Sequence, residues 1–148
     1  MASFDAFVAS CMNTPSSQSN VRGPIGIVAA LHEEINELLT LLSDAQCVHI
    51  GSRDFWTGTL DGHAVVVVLS RVGKVAAAST TAVLITQFNV RAVVFAGVAG
   101  ALAPGVAVGD VVVSEELLQH DVDASPLFPR WELPLAGMAR FPADAALA

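Results

Sequence analysis

Three short stretches carry residues able to do chemistry. Glu34 follows the apolar run IGIVAA (residues 25–30), and a carboxylate just past a buried strand can take a proton from water as a general base if partial burial raises its pKa toward neutrality. From spacing alone, a carboxylate in a helix's first turn is more often a surface group attracted by the helix dipole, with no chemistry attached. Gly97 and Gly100 break the β-branched run RAVVFAGVAGALAPG (residues 91–105), and without Cβ atoms they let main-chain N–H groups come close to a ligand. A third turn, SRVGK (residues 70–74), again places a glycine between a valine-rich run and a helical pattern.

Other clusters are weaker. GVAGALAPG lacks the third glycine of a dinucleotide fingerprint and the Lys-Ser/Thr of a P-loop, so it does not point to a nucleotide phosphate. His120, Asp121 and Asp123 carry donor types that suit a divalent ion, yet such a cluster more often pins a loop through hydrogen bonds, and no metal is expected. His32, His49 and His63 show no partner spacing and are read as structural or solvated.

The elements that must position these residues follow from periodicity. IGIVAA reads as a buried strand and leads into HEEINELLTLLSD, where Ile35, Leu38, Leu39 and Leu42 recur at helical spacing. FWTGTL and HAVVVVLS flank Asp61-Gly62, a two-residue hairpin signal. A helix is expected after Gly73 with apolar positions at Val75, Ala78, Ala82 and Ile85, then the strand RAVVFAG, and then another in DVVVSE beyond the turn near Pro104. The order β-α-β-β-α-β, with one more strand, predicts a mixed α/β domain. If its sheet is mainly parallel, Glu34, SRVGK and GVAGA meet at one carboxyl edge, where open α/β sheets bind ligands.

Composition bounds the function. Fourteen acidic against seven basic residues give a net charge of −7, which argues against nucleic acid and anionic membranes as partners. The hydrophobic fraction of 53% suits a sheet covered on both faces, or surface buried against a partner. Between Arg91 and Asp110 no residue is charged, but four glycines and a proline there favour strand, turn, strand over a membrane helix. Cys11 and Cys47 are isolated, which fits a reducing, cytoplasmic setting. Residues 1–24 read as a flexible leader, because Ser, Asn, Gln, Pro and Gly dominate residues 14–23. SPLFPRWELPL (residues 125–135) is too apolar to be left in water, so it either covers its own core or meets a partner subunit.

The blocks IGIVAALHEEI, TGTLDGHAVVVVLSRVGKVAAA, VVFAGVAGALAPGVAVGDVVVS and QHDVD, in this order, resemble the 5′-methylthioadenosine/S-adenosylhomocysteine nucleosidases of the purine and uridine phosphorylase superfamily. The resemblance covers residues 25–148, as the N-terminal portion of such a protein. It implies a phosphorylase-type three-layer α/β fold with a central mixed sheet, a homodimer, a nucleoside substrate with water as co-substrate, and no cofactor. The implied reaction is hydrolysis of the bond between adenine and a 5′-thioribose, a step of nucleoside catabolism and methionine salvage.

By the same resemblance Glu34 activates the water, Val72, Val98, Ala99 and Gly100 line the nucleoside site, and Leu127 and Pro134 belong to the pocket shared with a partner subunit. Val98 stands where some relatives carry Ser. The family's methionine-glutamate pair and the Ser-Asp that protonates adenine have no match in these 148 residues, so the chain alone is expected to be inactive unless a C-terminal part complements it. A nucleoside phosphorylase of the same superfamily, and a non-catalytic storage or interaction relative, are the competing readings.

Overall fold

The structure, a computed structural model, describes residues 23–145, in two units that meet in sequence between Ala99 and Gly100. Residues 1–22, most of the expected leader together with Cys11, lie outside the described residues.

In the first unit, β1 (Ile25–Ala29) is paired in parallel on both sides, with β4 (His63–Leu69) and with β5 (Ala92–Phe95). A strand with neighbours on both edges and helices on both faces has no polar side, which is why IGIVA and AVVVVL read as unbroken apolar runs. Alternate residues of β4 supply the two cores. Val65 and Val67 join Ile27, Ala29 and Ile35 of α1 (His32–Thr40), with Leu38 and Leu39 packed against them. Val66 and Val68 join Val28, Phe55 and Leu84 of α2 (Lys74–Phe88) on the opposite face. The result is the three-layer fold with a central mixed sheet, in the order β2-β3-β4-β1-β5.

Asp61 and Gly62 join β3 (Arg53–Leu60) to β4 with φ of 48° and 80°, the left-handed pair that a type I′ hairpin requires. Three expectations need correction. A further strand, β2 (Ser43–Ile50), pairs antiparallel with β3, so α1 stops at Thr40 and does not run on through Ser43. SDAQCVHI is almost wholly exposed, and a strand with one solvated side and few β-branched residues gives little signal. The inward face of α2 is also not the one that Val75, Ala78, Ala82 and Ile85 mark. Val75, Ala78, Ala82 and Ile85 are exposed, whereas Thr80 and Leu84 are buried and Val83 and Phe88 pack on the core. KVAAASTTAVLITQF is apolar nearly all round, so periodicity cannot choose a side.

The third correction concerns the second unit, in which β6 (Glu116–Leu118) pairs antiparallel with β7 (Arg140–Pro142). The strand expected in DVVVSE is irregular chain, and the ladder starts only at Glu116 because β7 offers partners to residues 116–118 alone. Among the described residues no helix is long and apolar enough to cross a membrane.

Candidate functional site

Parallel pairing of β4, β1 and β5 brings their carboxyl ends to one rim of the first unit. Ser70 N donates to Ala29 O at 2.8 Å and Ala96 N to Val28 O at 2.9 Å, which holds the turns after β4 and β5 against the end of β1. The buried Ser70 hydroxyl fixes this junction further, its one proton within reach of Ala29 O at 3.1 Å and of Arg71 O at 2.9 Å. Sequence reading passed over Ser70, although a serine that ends a buried valine run is a recognisable signal for such a brace.

Glu34 sits at this rim as the third residue of α1. Its Oε2 accepts the Ala30 amide at 2.8 Å and the Leu31 amide at 2.9 Å, and its Oε1 accepts the Val98 amide at 3.2 Å. The carboxylate therefore ties the turn after β1 to the turn after β5, and it also caps its own helix by reaching back to the residue before it. The expected rise of its pKa is overturned. The amides of Leu31, Ala30 and Val98 pull it below the ordinary carboxylate value, and the smaller cost of desolvation does not offset them.

At Gly97 the close neighbour is another part of the same chain. A Cβ on Gly97 would lie 3.0 Å from Glu34 Oε1 and 3.1 Å from the Phe95 ring, so the group that approaches this backbone closely is the Glu34 carboxylate. Beside it, Val72, Val98 and Ala99 are exposed at the same edge of the unit. The turn leading to Val72 is left-handed at Arg71 (φ 69°), and Gly73 follows at φ 109° as the cap of α2.

This arrangement can hold water. A carboxylate oxygen offers about two acceptor sites; Oε2 fills both with amides, whereas Oε1 takes one and keeps the other for a proton donor. Such a site can orient a water and take its proton, and a low pKa keeps it ionised at neutral pH.

The remaining predicted residues belong to the second unit. Gly100 has open space where a Cβ would stand, and Leu127 and Pro134 are exposed. Asp123 does pin its loop, accepting the Ser125 amide at 3.1 Å, while Trp131 Nε1 donates to His120 O at 3.2 Å. No group of three metal-ligating side chains forms among the described residues. His49, which shows no partner spacing in the sequence, is 2.7 Å from Asp54, directly opposite it across the β2–β3 ladder that the sequence did not show.

Comparison with known proteins agrees with this fold. Residues 24–148 match the family described as the Phosphorylase superfamily. A 5′-methylthioadenosine/S-adenosylhomocysteine nucleosidase of Oceanobacillus iheyensis is 43% identical over 101 residues, 68% of this chain and 44% of the relative. The Colwellia psychrerythraea nucleosidase, solved in complex with adenine, superposes with a TM-score of 0.81 at 40% identity, over 85% of this chain and 52% of that one. The Neisseria meningitidis nucleosidase in complex with methylthio-immucillin-A gives 0.80 at 34% identity, over 84% and 54%. The chain spans about half the length of the curated relatives it matches.

Proposed function

Because this chain belongs to the phosphorylase superfamily, we propose that it carries the water-activating part of an N-ribosyl hydrolase site that releases adenine from 5′-methylthioadenosine or S-adenosylhomocysteine. The observation that carries this reading is the Glu34 carboxylate, fixed by three amides at the rim with one acceptor site of Oε1 left over.

In the proposed step, water bound at Oε1 gives its proton to Glu34 as its oxygen bonds to C1′ of the ribose. The C1′–N9 electron pair leaves with adenine, through an oxocarbenium-like sugar, and a general acid must protonate the departing base. None of the described residues is assigned that second role. Val72, Val98, Ala99 and Gly100 line the nucleoside in this reading. Leu127 and Pro134 contribute to the alkylthio pocket of a partner subunit in a homodimer, working in the cytoplasm in methionine salvage. Phosphorolysis is the poorer reading, because an ionised Glu34 would face an attacking phosphate with charge of the same sign.

The test is a chimera that joins this chain to the second half of the Colwellia nucleosidase, assayed for adenine release alongside the chain alone. Glu34→Gln in the chimera is expected to reduce turnover by about 10²–10⁴-fold, since an amide cannot take the proton. Turnover within a few-fold of the parent would remove Glu34 as the base. Phosphate-dependent release of ribose 1-phosphate would favour the phosphorylase instead.

A further inference from the structure

Ser70 directly follows β4 and is 1% exposed, so its hydroxyl reaches no ligand, and an alanine would fill nearly the same space with no polar atom to desolvate. A hydroxyl buried at such a place needs a reason. Its two neighbouring oxygens supply one, because each belongs to a peptide that leads into the rim.

The first is Ala29 O, at 3.1 Å, which also accepts the Ser70 amide at 2.8 Å. The N–H of that same peptide is the Ala30 amide, and it donates to Glu34 Oε2 at 2.8 Å. Because a peptide is planar, a partner that fixes its oxygen also fixes where its amide hydrogen points. A donor on the carbonyl also polarises the peptide, which makes the N–H a stronger donor in turn. Ser70 thus stands one peptide plane from the carboxylate. The second oxygen is Arg71 O, at 2.9 Å, in the peptide that leads to Val72. One proton between two carbonyls makes a three-centre contact, which ties the peptide holding Glu34 to the turn carrying Val72.

Another buried hydroxyl gives the contrast. Thr80 is fully buried in α2 and donates to Ala76 O at 2.8 Å, a bond inside its own helix that leads to no group with chemistry.

We infer that Ser70 is a positioning residue for Glu34, acting through the Ala29–Ala30 peptide to hold Oε2 in place and so aim Oε1. Its part in a reaction rests on the reading of Glu34 as the base. Its hold on the carboxylate does not.

The test therefore reads Glu34 first without substrate. In the full chain the Glu34 carboxyl carbon is titrated by NMR in the parent, Ser70→Ala, Ser70→Thr and Thr80→Val. Loss of the hydroxyl weakens the Ala30 donor, so in Ser70→Ala the pKa of Glu34 should move up and the Ala30 amide proton should shift upfield. Ser70→Thr keeps a donor and should restore both. Thr80→Val should lower the thermal midpoint and leave Glu34 where it is. In the chimera with the Colwellia half, Ser70→Ala should lower kcat about tenfold, more than it raises KM, and the acid limb of the kcat profile should follow Glu34 to higher pH. A Glu34 titration unmoved by Ser70→Ala, an equal movement in Thr80→Val, or no rescue by Ser70→Thr would each overturn the inference. A Ser70→Ala chain that no longer folds would overturn it too, by giving the hydroxyl a structural role alone. If Glu34 titrates as expected but no form of the chimera releases adenine, the nucleosidase reading fails and the link from Ser70 to the carboxylate stands.

Discussion

Two valine runs that look alike in sequence end in opposite environments. Val65, Val66, Val67 and Val68 of β4 are 0–3% exposed, whereas Val111, Val112 and Val113 in the second unit are 61–89% exposed. The difference lies in the neighbours. β4 has β3 delivered to it by a two-residue turn and β1 by a parallel crossover, so both of its edges and both of its faces are filled. Residues 111–113 have no ladder partner among the described residues, and the β6–β7 pairing begins beyond them. An apolar run is a demand for burial; whether it is met depends on what the rest of the chain brings to it.

The widest gap between the two runs should come from a charge. Val67→Asp places a carboxylate with no partner in the α1-side core, and denaturant unfolding should show a loss above about 4 kcal/mol, enough to abolish a folded first unit. Val112→Asp should stay within about 0.5 kcal/mol of the parent. Equal effects at both positions would mean that residues 111–113 are buried in solution and that the contrast is false.

The glycines sharpen the comparison at a smaller scale. Gly97→Ala pushes a methyl group against Glu34 Oε1 and the Phe95 ring, and the strain should cost about 1–3 kcal/mol and detach the carboxylate from the Val98 amide. Gly100→Ala meets open space and should leave stability nearly unchanged. An amide-exchange measurement at Val98 reads both outcomes, with faster exchange expected only for the alanine at 97.

The smallest effect is in pH dependence, and here the units behave alike. Glu34 is held below its usual pKa by backbone amides, and Asp123 by the Ser125 hydroxyl and amide. A depressed carboxylate stabilises the fold at pH above its unfolded value, near 4.5 for Glu34 and 3.8 for Asp123, and that contribution is lost as pH falls through the lower folded value. Thermal midpoints should therefore decline on acidification below about pH 4.5, with Glu34→Gln flattening the first unit's share and Asp123→Asn the second's. A midpoint that rises on acidification would reverse the sign assigned to Glu34.

Much of the first unit was legible in the chain. The Asp61-Gly62 turn, the Ile35-Leu38-Leu39 stripe and the blocks around Gly97 each carry a local physical reason, and together they named a mixed α/β domain and its rim, with the three-layer fold implied by resemblance. β2 was not legible, because its solvated residues have no period that burial enforces, and His49 with its partner Asp54 was lost along with it. The buried side of α2 was hidden for the opposite reason, since apolar residues lie on every side of the helix.

The candidate site divides in the same way. Sequence alone determined that a carboxylate follows the first strand and that glycines follow two others, because period and turn chemistry are local properties of the chain; that they meet at one edge followed only if the sheet was mainly parallel. Only the tertiary structure decided what these residues do to one another. Three amides from two turns converge on Glu34 and lower its pKa where burial alone would have raised it, and Gly97 lacks a side chain because that carboxylate occupies the space. Electrostatics and close packing depend on distances between residues far apart in sequence, and those distances exist only once the chain has folded.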